Sequence, residues 1–387
     1  MHTKEILTQL ISFDTTSRNP NDALIKHVAE LLSDNGIQST LIPDDTGKKA
    51  NLYATVGPQD TPGIMLSGHT DVVPIDGQDW TKPAFELTEE NNRYYGRGTT
   101  DMKGFVASAI RIAIEASKRD LKTPLHLGFS YDEEIGCVGV RSMIEMLDKS
   151  PTKPGMCIVG EPTEMQVATG HKGKTGLKAV FTGREGHSAL APKAVNALYM
   201  ATDFITALRN IQEELRLNGL TDDDYDVPYT TLHVGKLNGG VALNIVPNSC
   251  EMLFEIRNIA EDAPGKIVDK LRQQADIIIT EAQEIAPEAD ISIEIINTYP
   301  GMNTPKQSEV VEFVKSLTGG NSTCKMAFGT EGGLFSQELG IPTVICGPGS
   351  MAQGHKPDEY VAIEQIEKCD MMLDTLLNRL EAGIPLT

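Results

Sequence analysis

Eight histidines stand in this 387-residue chain, and four of them directly follow a glycine: His69, His171, His187 and His355. Glycine lets a backbone turn sharply or approach a ligand closely. Acidic residues recur in comparable settings, among them Asp71, Asp101, the pair Glu133-Glu134, and Glu161, which precedes Pro162 and is biased to extended backbone. Two imidazoles and three carboxylates can hold two divalent cations if one carboxylate bridges them. Water between such cations is acidified towards a pKa of about 7, and a free carboxylate beside it can pass the proton to a leaving amine. Taken singly, each residue has a plainer reading. His69 could be an ordinary loop histidine, Asp71 the cap of a turn, Asp101 a helix N-cap, Glu133-Glu134 a solvated pair and Glu161 a surface residue. Jointly, the positions say more.

Those positions follow strands. Residues 63–66, 125–129, 156–159 and 342–346 are continuous apolar runs, the pattern of strands covered on both faces in a mainly parallel sheet. His69, Glu133-Glu134, Glu161 and His355 come just after them, and Asp101 precedes a helix predicted over 102–117. In a parallel sheet the carboxyl ends share one edge, where ligands bind, so residues far apart in sequence can converge there. A second kind of strand occupies the middle of the chain. Residues 250–257 and 291–295 alternate apolar and polar, which suits a sheet with one open face. Helical stretches at 194–217 and 265–286 would cover the other face, with Pro287 as a stop. Further helices are predicted over 22–35, ended by Gly36, and over 364–380, with a solvated acidic loop at 221–226. The expected architecture is α/β: a helix-covered catalytic domain at 1–171 and 300–387, interrupted by a smaller two-layer α+β domain at 172–299.

Composition narrows the function classes. Lysine and arginine number 34 and aspartate and glutamate 54, a formal charge of −20, which argues against nucleic acid or an anionic membrane surface as the partner. No apolar run approaches the roughly 20 residues that span a bilayer, and the first ten residues lack the pattern of a signal peptide. Six scattered cysteines without a Cys-x-x-Cys pair are expected to be free thiols, and the cytoplasm is the expected location.

Four motifs surround the acids and imidazoles of the first half: Ser67-Gly68-His69-Thr70-Asp71-Val72-Val73-Pro74, Gly96 to Gly104, Tyr131-Asp132-Glu133-Glu134-Ile135-Gly136 and Val159-Gly160-Glu161-Pro162. With Gly183-Arg184-Glu185-Gly186-His187-Ser188-Ala189 and Gly354-His355-Lys356-Pro357-Asp358-Glu359, they resemble the two-metal amidohydrolases. That family includes acetylornithine deacetylases, succinyl-diaminopimelate desuccinylases, aminoacylases and glutamate carboxypeptidases. The resemblance spans essentially the whole chain, the insert included. It implies a zinc-exopeptidase-like fold and two divalent ions, Zn or Co. His69, Asp101 and Glu161 would hold one, and Asp101, Glu134 and His355 the other. It further implies Glu133 as general base, Asp71 as the partner that orients His69, and a cis peptide after Asp101. The insert would be a lid and dimerisation domain whose His187 stabilises the oxyanion, often across a homodimer.

Within the family, similarity is nearest the acetylornithine deacetylases. The segment Phe328-Gly329-Thr330-Glu331 resembles theirs, whereas desuccinylases resemble Gly-Thr-Ser-Asp there. The implied substrate is a small N-acyl amino acid, Nα-acetyl-L-ornithine, with a desuccinylase, aminoacylase or dipeptidase activity as the alternative and an inactive binding homologue as the remote one. Thr330 and Glu331 are expected to bind substrate, Glu331 by its charge facing an ammonium group. Arg257 is expected to grip the α-carboxylate, Asn244 to bind substrate or oxyanion, and Lys172 to be a second cation.

Overall fold

The computed structural model describes residues 1–386, and the fold is α/β. The chain forms two compact units: Met1–Gly170 with Met302–Lys325 and Thr330–Thr387, and His171–Gly301 with Met326–Gly329.

The larger unit is built on a nine-stranded mixed sheet. Its centre is four parallel strands in the order Leu125–Ser130, Ile64–His69, Met156–Pro162, Thr343–Gly347. Every residue in them is buried, so helices and loops cover both faces, as continuous apolar runs require. The strands Ala50–Val56 and Ser39–Pro43 extend one side antiparallel.

All four central strands run past the predicted ends, and for two of them, Ile64–His69 and Met156–Pro162, the reason is helix packing. A Cβ on Gly68 would come within 2.9 Å of Met102, and one on Gly160 would overlap the Phe105 ring at 1.9 Å. These glycines let the helix Lys103–Ala116 lie close over the sheet, so they continue the strands where they would otherwise read as turns. His69 is therefore the last residue of its strand, and Glu161 lies inside its own. The helix Lys103–Ala116 is buried almost all round, between the sheet and the helices Thr3–Ile11 and Ile363–Ala382.

The smaller unit holds a four-stranded antiparallel sheet in the order Thr231–Gly239, Ser249–Asn258, Gly173–Thr182, Asp290–Tyr299. Along Ser249–Asn258, Cys250, Met252, Phe254 and Ile256 are buried and the residues between them are more open, the alternation that the sequence shows. The helices Ala197–Asn218 and Pro264–Gln283 pack on the covered face. There Phe204 meets Phe181 and Phe254 edge-on, with ring centres 5.7 and 5.9 Å away. The second helix begins at Pro264, where a missing N–H costs nothing, and ends at Gln283, four residues short of Pro287. Among the described residues no helix is long and apolar enough to cross a membrane, and all six cysteines are free, five of them buried.

Candidate metal centre

At the carboxyl edge of the parallel strands, Asp101 divides its carboxylate between two histidines. His69 Nε2 lies 2.9 Å from Asp101 Oδ1 and 3.6 Å from Glu161 Oε1. His355 Nε2 lies 3.1 Å from Asp101 Oδ2 and 3.0 Å from Glu134 Oε2. Each imidazole thus pairs with one Asp101 oxygen and one glutamate. Asp101 is not a helix cap: Met102 occupies that place, and the Asp101–Met102 peptide is cis. Glu133 stands on the His69 side, where potential ligand atoms of His69, Glu133 and Glu161 all lie within 4.8 Å of one another. The same holds for His69, Asp101 and Glu134. His69, Asp101 and Glu161 are buried, while the His355 side chain is 45% exposed and marks the open side.

Charge in this cluster is out of balance. Burial pushes the Glu133 and Glu161 carboxyls well above the usual carboxylate range, and neighbouring acids add to it. Burial and Asp101 raise Glu134 to about 7. Burial acts upward on Asp101 too, but hydrogen bonds from His355 and His69 outweigh it and hold that group well below its ordinary value. Those same carboxylates hold His355 up at about 10. For His69, burial acts downward, yet its hydrogen bonds with Asp101 and Asp71 carry it well above 6.5. Nitrogen and oxygen donors gathered in surplus negative charge fit a pair of divalent cations.

Asp71 faces His69 and also holds a turn. The Nδ1 atom of His69 is 2.9 Å from the backbone oxygen of Asp71, and the carboxylate is farther, at 3.6 Å. That carboxylate instead accepts the backbone N–H groups of Glu133 (3.1 Å) and Glu134 (3.3 Å) and the Ser17 hydroxyl (2.7 Å). Asp71 orients the turn that carries both glutamates as much as it orients the histidine. Sequence reasoning misses Ser17, because nothing in its local pattern marks it. The Cys137 thiol likewise donates to Glu133 Oε1 at 3.3 Å.

The residues expected to meet substrate fall into two groups. Thr330 and Glu331 are buried; Glu331 accepts hydrogen bonds from the Ser130 and Ser67 hydroxyls, and Thr330 Oγ1 accepts the Gly332 N–H at 3.0 Å. Burial raises Glu331 to about 7, against the pull of the two serine hydroxyls. Lys172 is buried as well, with Nζ donating to the Tyr229 carbonyl at 2.7 Å. All three hold hydrogen bonds within the protein. Arg257 is half-buried, donating to Glu255 at 3.0 Å and to the Tyr299 hydroxyl at 3.2 Å. His187 and Asn244 are exposed and adjacent within the smaller unit. The short strands Gly186–His187 and Ile245–Val246 pair, and Ser188 N donates to the Asn244 carbonyl at 3.1 Å. Arg184, gripping Glu288 with two hydrogen bonds, anchors that loop. His171 is buried and belongs to neither ligand cluster.

Residues 65–379 match the Peptidase family M20/M25/M40. An acetylornithine deacetylase of Myxococcus xanthus is 34% identical over 372 residues, 95% of this chain and 94% of that protein. One of Pasteurella multocida is 32% identical over 379 residues, covering 96% and 94%. In three dimensions, an M20 family metallo-carboxypeptidase of Sulfolobus solfataricus superposes with a TM-score of 0.81 at 20% identity, over 99% of this chain and 100% of that one. A Bacillus subtilis protein described as a dinuclear metal binding peptidase of the M20 family gives 0.68 at 14% identity, over 98% of both chains. The chain belongs to the peptidase family M20/M25/M40 and is a metal-dependent amidohydrolase.

Proposed function

We propose that this amidohydrolase removes the acetyl group of Nα-acetyl-L-ornithine, releasing acetate and L-ornithine, a step of arginine synthesis. The reading is supported by likeness along nearly the whole chain to relatives named for that deacetylation. The observation that carries its chemistry is the division of Asp101 between His69 and His355.

In this reading His69, Asp101 and Glu161 hold one cation, and Asp101, Glu134 and His355 the other, with zinc or cobalt suited to the mixed nitrogen and oxygen donors. Such ions, when bound, supply Lewis acidity that polarises an amide carbonyl and makes water a stronger acid. Glu133 does the proton work. Its carboxyl, half-buried beside His69 and Glu161, takes a proton from water and gives it to the departing amine. Asp71 holds the backbone from which Glu133 and Glu134 project, so it sets their direction. His187 accepts the Ala189 N–H at Nδ1, which leaves its ring proton on Nε2, the tautomer able to donate to an oxyanion. Arg257 is the cation assigned to the α-carboxylate and Asn244 a polar contact, while Thr330, Glu331 and Lys172 are internal supports.

The proposal extends to a homodimer through the smaller unit. Its outer strand Thr231–Gly239 is a sheet edge, and Tyr199, Val241 and Leu243 expose apolar surface that a second copy would cover. Six free thiols suit the reducing cytoplasm, and the charge of −20 disfavours nucleic acid and anionic membranes.

Purified protein of measured metal content should hydrolyse acetylornithine far faster than succinyl-diaminopimelate or a dipeptide. A chelator should abolish turnover and Zn²⁺ or Co²⁺ restore it. Faster hydrolysis of another substrate removes the ornithine assignment alone; turnover after complete metal removal removes the whole mechanism.

A further inference from the structure

Asp101 and His355 come from distant parts of the chain, yet one set of polar groups, buried at Glu359 and Arg97 and half-buried at Gln78, grips the backbone at both. Glu359, 1% exposed, accepts the backbone N–H groups of Thr100 and Asp101 on Oε1, at 3.0 and 3.1 Å. Its Oε2 accepts Arg97 Nη1 at 2.6 Å, and Arg97 is also 1% exposed. Arg97 Nη2 donates to Gln78 Oε1 at 2.6 Å, and Gln78 Nε2 donates to the His355 carbonyl at 3.1 Å. Asp358 adds a clamp alongside, accepting the Thr81 and Lys82 N–H groups at 2.9 and 3.1 Å.

Trp80 closes the set. Its indole N–H donates to the same Gln78 oxygen at 3.0 Å, and the Arg97 guanidinium lies 5.0 Å over its ring centre. It is the only tryptophan in the chain.

We propose that Glu359, Arg97 and Gln78 form a positioning relay that fixes Asp101 and His355 relative to each other, and that Trp80 emission reports its state. The relay rests on the reading of those two residues as metal ligands. Its physical basis is the cost of a half-satisfied buried pair. Removing one partner leaves a desolvated charge unpaired, so the relay holds as a unit or shifts as a unit. Glu359 Oε1 fixes the peptide N–H of Asp101 itself, and with it the direction in which the two carboxylate oxygens leave the backbone. Gln78 fixes the other end, at a residue whose backbone is left-handed (φ +58°) and held by no regular element. The residues themselves stand out in the sequence, in Gly354-His355-Lys356-Pro357-Asp358-Glu359 and in the lone tryptophan, but no spacing rule links Glu359 to Asp101.

The test strips the purified enzyme with a chelator and titrates it with Co²⁺ alone, following bound metal by equilibrium dialysis together with Trp80 emission. Glu359→Gln and Gln78→Leu are compared with the wild type, and folding is checked by circular dichroism. We expect the wild type to take two cations, with an emission change on filling. Both variants should bind one of the two roughly 10- to 100-fold more weakly, the range seen when the groups supporting a ligand are lost. Gln78→Leu should also lose the emission change. If Glu359→Gln does not fold, Gln78→Leu decides, because it leaves the Arg97–Glu359 pair in place. Two cations bound by the variants within twofold of wild-type affinity would overturn the relay and leave the metal assignment standing. A wild type that takes up none would sink both.

Discussion

In the larger unit every residue of the four central strands is buried, whereas in the smaller unit the strands alternate between a covered and an open face. The residues that each unit contributes differ in the same way. His69, Asp101 and Glu161 are at most 5% exposed, and each meets another charged side chain of the cluster within 3.6 Å. His187 and Asn244 stand in solvent, on a two-strand ribbon. A buried polar group must find its partners within the protein, so its direction and charge are settled in advance. An exposed one is solvated by water and changes little until something arrives. The polar groups of the larger unit are therefore the preset part, and the solvated pair His187 and Asn244 of the smaller unit is the waiting part.

Glu133→Gln tests the preset part and carries the largest expected effect. The amide keeps the shape and loses the proton chemistry, so kcat should fall about 10²- to 10⁴-fold, the usual worth of a positioned acid–base group. Metal content, read by elemental analysis, should stay near that of the wild type. An unchanged kcat removes Glu133 as the base, and a loss of metal makes it a ligand, which its nearness to His69 and Glu161 allows.

His187→Ala probes the waiting part. Removal of one oxyanion donor costs about 10²- to 10³-fold in kcat, with metal content and thermal midpoint unchanged because the residue supports no core. Since a solvent-exposed ring needs no partner to be tolerated, a marked drop in stability would break the contrast between the units.

Legibility follows the same divide. Periodicity exposes the four parallel strands and the alternation of Ser249–Asn258, because burial on two faces or one leaves a direct imprint on residue type. It misses the strand ends at Gly68 and Gly160, since a missing Cβ reads as a turn unless the helix it admits is known. The candidate ligand set is legible as acids and imidazoles near the ends of strands. What Asp71 grips is not: its acceptors face Glu133, Glu134 and Ser17, a choice made by tertiary packing. Thr330, Glu331 and Lys172 pose a related question, since each holds a hydrogen bond within the protein. A polar residue type announces a need for hydrogen bonds, and the sequence does not say whether substrate or protein meets it.

The smallest effect concerns stability and tests whether the contrast lies in the units or only in burial. His126, in the strand Leu125–Ser130, sits with Nδ1 2.9 Å from both the Tyr53 and Thr55 hydroxyls, and burial lowers it to about 4. His171, assigned to the other unit, is lowered to about 4 by burial too. An unfolded histidine titrates near 6.5, so between pH ~6.5 and ~4 the unfolded chain takes up protons that the folded chain refuses. The contribution of each such histidine to stability must therefore fall as the pH drops through that window and level off below it. One such group contributes at most about 1.4 kcal/mol per pH unit, roughly 3 kcal/mol across the window. Denaturant unfolding of His126→Asn, which keeps a polar group near the two hydroxyls and does not titrate, should lose about that much of the slope relative to wild type between pH 6.5 and 4. An unaltered slope would mean that His126 already takes up its proton in the folded protein. Burial would then not be what separates it from His355, the more exposed histidine that facing carboxylates drive the other way, to about 10.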